Sequence, residues 1–170
     1  MMKPYVQNLF AITEIELMYR NQVQPENRPI IYSSQSAYDI LINCWDMNKI
    51  ELVEDFMILL LDRSNLCLGI SRVARGTVSS CLVDPKIVFA TALKAKASGI
   101  ILAHNHPSGI ETPSVQDKRL TKKLRDGGDL LDIAVCDHII VTPHSYYSFV
   151  DDGEMPFDGT PSRGLTLLQP

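Results

Sequence analysis

The 170-residue chain has no apolar run long enough to span a bilayer; its longest, "FMILLL" at 56 to 61 and "GIILA" at 99 to 103, fall far short of twenty residues. Its start lacks the apolar stretch of a secretory signal, so a cytoplasmic protein without membrane attachment is expected. No C-x-x-C pair occurs among Cys44, Cys67, Cys81 and Cys136, which removes the redox and zinc-knuckle motifs and leaves buried free thiols as the expectation. Excess positive charge is also missing: 16 basic against 20 acidic residues give a net charge of -4, which argues against broad adhesion to nucleic acid. There is no internal repeat and no low-complexity segment. With 45% apolar and 21% charged residues, the composition is that of an ordinary globular domain with a real core.

The pattern divides the chain into a lead-in over 1–32, one domain over 33–153 and a glycine- and proline-containing tail over 154–170. The lead-in has no single period and reads as irregular or as a short strand. From Ser33, Ala37, Ile40, Leu41, Cys44 and Trp45 recur at three- and four-residue steps, predicting a capped helix that ends near Asn48. Two apolar runs around Asp62 to Asn65 predict a hairpin, and "VSSCLVD" predicts a further strand after a bend at Gly76. Asp84 followed by Pro85 opens a helix that Gly99 should stop. The strand "IILAH" follows, then a helix from Pro113 and Ser114 through Arg125, closed by Gly127 and Gly128. "IAVCDHIIVT" supplies one or two closing strands. The expected fold class is therefore α/β (α+β), a mixed sheet with flanking helices and an antiparallel hairpin at one edge.

The stretch "HNHPSGIETPSVQD", 104 to 117, carries the chemistry. Residues two apart on an extended chain point the same way, so His104 and His106 face one side. Pro107 forces a turn, and the loop returns a helix whose first turn holds Asp117. Two imidazoles and a carboxylate suit Zn²⁺ with a fourth position open to water, whose pKa zinc lowers to about 7. Ser114-x-x-Asp117 by itself is a helix-capping pair, and a lone His-x-His is a weak signal. The four residues together arise by chance in on the order of one chain in a few thousand, so the joint pattern favours a site.

Asp137 and His138 are neighbours on a strand and point to opposite faces, which leaves His138 a hydrogen-bonded structural residue outside the metal set. His144 reads as a surface residue, and Asn105 as a side chain directed away from the metal to tie down the turn. "KRLTKKLR", 118 to 125, has one apolar face, with Lys118, Arg119, Lys122, Lys123 and Arg125 on the other as solvated charge or a weak nucleic-acid contact. The H-x-E and P-C-x-x-C signature of zinc deaminases is absent.

His104-x-His106-x7-Ser114-x2-Asp117 resembles the JAMM motif of JAB/MPN metalloproteases. "AHNHPSG", "DHIIVT", "EDFMILLLDRSN", "GTVSSCLVDPKIVFATALKAKASGIILAHNHPSG" and "YYSFVDDG" resemble its RadC-like branch over about residues 33 to 153. The resemblance implies a JAB/MPN (cytidine-deaminase-like) architecture and a zinc-dependent hydrolase of peptide or isopeptide amides, acting on a peptide or protein substrate. It implies Zn²⁺ on His104, His106 and Asp117, Glu54 as general base with Glu51 as fallback, and Ser114 as a hydrogen-bond donor to the oxyanion. The branch's helix-hairpin-helix region has no room in 170 residues. A second implication of the branch is a DNA-associated repair or mobile-element accessory protein.

Overall fold

The computed structural model describes residues 23–155. Residues 1–22 of the lead-in and 156–170 of the tail therefore lie outside the described part. The lead-in's remainder holds a 3-10 turn, Pro25–Asn27, and Ile30, which makes one antiparallel bridge to Leu66. Among the described residues no helix is long and apolar enough to cross a membrane.

Helix α1, Ser34–Cys44, starts where Ser33 accepts from the Ser36 amide and Ser36 returns the bond to the Ser33 amide. It ends four residues before the expected Asn48. Trp45 leaves the helix in an extended conformation and is buried, while Asp46 accepts from the amides of Asn48 and Lys49 in a tight turn.

Strands β1, Asp55–Leu61, and β2, Cys67–Arg75, form the expected hairpin. Asp62 Oδ1 accepts from the Ser64 and Leu66 amides, and Asn65 takes the left-handed conformation the turn requires, φ 60°. The next segment, "VSSCLVD", is not a strand. The Thr77 amide donates to Ser80 O, curling the chain at once, and Val78 and Leu82 face solvent. Among the described residues the alternation there has no neighbouring strand to define a buried face.

Helix α2, Pro85–Lys94, has Asp84 as N-cap on the Lys86 amide and Pro85 at its first position. It stops at Lys96, φ 55°, rather than at Gly99, which opens strand β3, Gly99–Asn105. Helix α3, Val115–Leu130, runs through the glycines expected to end it. Both are needed inside the helix for close packing: a Cβ on Gly127 would stand 2.8 Å from the Phe89 ring, and one on Gly128 would stand 2.4 Å from Ile133 O. Strand β4, Ala134–Val141, is a single strand, followed by the unanticipated β5, Tyr146–Ser148.

The sheet order is β2-β1-β3-β4-β5, with β3 and β4 parallel and the remaining neighbours antiparallel. Mixed pairing follows from the connections: α2 crosses over between β2 and β3, which flank β1 and run alike, and α3 crosses over between β3 and β4. Both faces of the central strands are covered, which is why β1 and β3 read as unbroken apolar runs. Ala37, Leu41 and Trp45 of the α1 segment pack on Met57, Leu59, Ile101, Ala103 and Ile139. Val88, Phe89, Ala92 and Leu124 from α2 and α3 pack on Phe56, Ile58, Leu60, Ile100 and Leu102. Burying each large side chain stabilises the fold by roughly 1.5–3 kcal/mol.

Candidate metal centre

Strand β3 runs out at its C-terminal end beside the start of β1, with Phe56 paired to His104. Paired residues share a face and residues two apart along a strand share it too, so Glu54, Phe56, His104 and His106 all belong to the side covered by α2 and α3. The loop through Gly109, φ 73°, reverses the chain and brings the first turn of α3 over that end.

Three side chains meet there. His104 Nε2 lies 2.9 Å from His106 Nε2 and 3.4 Å from Asp117 Oδ1, and His106 Nε2 lies 3.5 Å from Asp117 Oδ2. One ligand atom from each falls within 4.8 Å of the others, the only such group of three or more among the described residues. Donor atoms about 2.0–2.1 Å from a tetrahedral ion stand roughly 3.3 Å apart, so the set fits Zn²⁺ in both chemistry and spacing. The side chain of His104 is 2% exposed, those of His106 and Asp117 17% and 13%, so the site opens to solvent on one side.

Ser114 and Asp117 form a reciprocal capping box. The Ser114 hydroxyl accepts from the Asp117 amide at 3.1 Å, and the Ser114 amide donates to Asp117 Oδ2 at 2.6 Å. The local reading of this pair and the metal reading are thus compatible. Capping uses a lone pair of the exposed serine oxygen, and the Ser114 side chain also helps to hold the Asp117 carboxyl down. Burial opposes ionisation of Asp117, yet the adjoining imidazoles of His104 and His106 hold its carboxyl far below the usual carboxylate range. The same contact with Asp117 raises His106 against burial, helped by Ile110 O, which lies 2.6 Å from His106 Nδ1.

Glu54 is half-buried at the mouth of β1. Its amide donates to Thr77 O and its carbonyl accepts from the Gly76 amide. Burial pushes its carboxyl up, His104 and His106 draw it down, and Asp117 pushes it up again, so it lies within the field of all three candidate ligands. Asn105 does turn from the metal side, but it ties down the segment before β1 instead of its own turn. Its Oδ1 accepts from the Asp55 amide at 2.7 Å, and its Nδ2 donates to Ile50 O and Val53 O at 2.5 and 2.8 Å. These bonds clamp the backbone on both sides of Glu54.

His138 stays out of the ligand set, but it touches that set directly: its Nε2 lies 2.8 Å from His104 Nδ1, and its Nδ1 lies 2.6 Å from Thr121 Oγ1. Thr121 carried no signal in the sequence reading. The parallel register of β3 and β4, which pairs Leu102 with His138, was the missing information. Burial and the neighbouring His104 lower His138 well below its ordinary value. His144 is exposed, as expected. All four cysteines are free, and Cys44, expected to be buried, is exposed at the last position of α1.

On α3, Lys118 pairs with Glu154 at 2.5 Å and Lys122 with Asp126 at 2.7 Å. With Arg125 and Asp129 they line an open cleft of about 300 Å³, mixed in charge.

Comparison with known sequences gives UPF0758 proteins among the matches. A UPF0758 protein of Flavobacterium johnsoniae is 43% identical over 100 residues, 59% of this chain and 44% of that protein. One from Thermotoga maritima is 38% identical over 120 residues, 71% and 54% respectively. One from Haemophilus influenzae is 35% identical over 144 residues, 85% and 63%. The chain spans about half the length of the curated relatives it matches. The sequence profile of the RadC-like JAB domain matches residues 31–154, which contain the whole sheet, the three helices and every residue of the site. The chain belongs to the RadC-like JAB domain family.

Proposed function

We propose that this chain is a JAMM-type zinc hydrolase of peptide or isopeptide amide bonds. The observation that carries the reading is the convergence of His104 Nε2, His106 Nε2 and an Asp117 carboxylate oxygen at 2.9–3.5 Å, on the sheet face that also bears Glu54. Zn²⁺ held there supplies an acidified water and a Lewis acid for the scissile carbonyl. Glu54 takes the water's proton at its carboxylate and returns it to the leaving amine, a task suited to a carboxyl whose pKa burial raises. Ser114, with its oxygen fixed by the cap, donates its hydroxyl proton to the carbonyl oxygen as charge develops on it. Asn105 holds the backbone around Glu54 in register with the ligands.

The test is zinc content together with turnover. Purified protein should hold about one zinc per chain by mass spectrometry and lose it in His106→Ala. Glu54→Gln should keep the zinc and lower amide cleavage by about 10²–10⁴-fold. Zinc-free wild-type protein, or full turnover by Glu54→Gln, would refute the reading.

A nucleic-acid accessory role through Lys118, Arg119, Lys122, Lys123 and Arg125 has less support, because Lys118 and Lys122 are engaged by Glu154 and Asp126. It requires DNA affinity that falls steeply with salt and weakens when Lys122 and Lys123 become glutamate.

A further inference from the structure

Resting on the assignment of His104 as a ligand, we infer that His138 and Thr121 are positioning residues: together they fix His104 as the tautomer whose Nε2 is bare and aimed at the metal. The Thr121 hydroxyl donates to Asp117 O, one turn back on α3, at 2.7 Å. Its single proton is thereby committed, so at 2.6 Å it accepts from His138 Nδ1, and that nitrogen carries a proton. Between His138 Nε2 and His104 Nδ1, 2.8 Å apart, there is room for one proton only. Were it on His138, that ring would be a cation with no solvent exposure, stacked on Phe149 at 4.8 Å and edge-on to Phe56 at 5.7 Å, and paired with no carboxylate among the described residues. An isolated buried charge of that kind is strongly disfavoured. The proton therefore stays on His104 Nδ1, and the lone pair of its Nε2 faces His106 and Asp117.

The chain of bonds starts at one ligand and ends on the backbone of another: His104 to His138 to Thr121 to Asp117 O. Because its last acceptor is a carbonyl, it cannot pass a proton onward. It serves as an orienting brace that locks α3 to β3 and β4 at the site. The second histidine is set by a different device, the carbonyl of Ile110 on His106 Nδ1. The two ligands thus have independent controls, and a defect at Thr121 should reach one of them alone.

Nitrogen-15 histidine spectra of metal-free protein read the tautomers directly, and competition with a chromophoric chelator reads zinc affinity. In wild-type protein His104 and His138 should both appear as the Nδ1-protonated form. Thr121→Val should convert His104 to a mixture of tautomers, leave His106 unchanged and weaken zinc binding by about 10–100-fold. Thr121→Ser should restore both readouts. His104 found protonated at Nε2 in the wild type, or Thr121→Val with unmoved tautomers and affinity within twofold, would overturn the inference. If wild-type protein binds zinc but cleaves no amide, the proposed hydrolase falls while both readouts still decide this point; if it binds none, the tautomer spectra alone decide it.

Discussion

Asn105→Ala should separate catalysis from metal binding. The side chain has no solvent exposure and makes three hydrogen bonds, to the Asp55 amide, Ile50 O and Val53 O. Truncation leaves those backbone groups without partners. Two of the bonds are buried and one partly so, and at about 1–3 kcal/mol for each buried group left unsatisfied, with less at the wetter Val53 carbonyl, the loss is about 3–6 kcal/mol. That is a large share of the 5–15 kcal/mol typical of a domain, so urea midpoints at low temperature are the suitable measure, with the slope unchanged. The clamped backbone is that of residues 50–55, so Glu54 loses its fixed approach while His104, His106 and Asp117 keep theirs. Zinc content should remain near one per chain, and kcat should fall about 10²-fold, the scale expected of a displacement near 1 Å. A loss below about 1 kcal/mol, or a fall in zinc content as large as the fall in kcat, would refute the clamp.

Three further outcomes follow from other parts of the fold. Burial pushes Asp137 up to about 7, although Ser148 and the amides of Val150 and His138 donate to it and favour the anion. The folded form therefore keeps a proton that the unfolded chain releases from about pH 4, so this group's contribution to stability declines as pH rises from about 4 to 7 and is level above. Thermal melts across that window should show the decline, and Asp137→Asn, whose amide can face Ser148, should flatten it. Gly128→Ala adds a methyl 2.4 Å from Ile133 O, and the overpacking, about 1–3 kcal/mol, should outweigh the helix preference for alanine, lowering Tm by several degrees. Ser114→Ala should lower stability by about 1 kcal/mol through the lost cap, and kcat by about 10²–10³-fold with little change in KM; equal effects on both constants would remove it as the oxyanion donor.

Local rules carried most of the architecture. The hairpin turn, the Asp84 cap and the extended His-x-His pair depend on neighbours within a few residues, and each was legible. What was missed depends on contacts distant in sequence. Gly127 and Gly128 are strong stop signals by propensity, but Phe89 and Ile133 need the space a side chain would fill, and tertiary packing overrode the local preference. "VSSCLVD" alternates like a strand, yet among the described residues no strand lies beyond β2 to pair with it. Asp137 and His138 do face opposite ways, as alternation requires. That His138 thereby lands beside His104 could be known only from the β3–β4 register, 34 residues apart in sequence. Glu54 was placed by resemblance, and its physical basis is another long-range register, Phe56 against His104.

The reciprocal cap at the start of α3 has a consequence for the proposed metal site. Asp117 is oriented by the Ser114 amide, His106 by Ile110 O and His104 by the brace behind it, all of them bonds internal to the chain. Each candidate ligand therefore has a hold on its orientation that comes from the chain itself. On the proposed reading, ordering of the polypeptide contributes little to zinc affinity, in contrast to small zinc modules that fold only on binding. If zinc is held there as proposed, chelation should remove it without melting the protein.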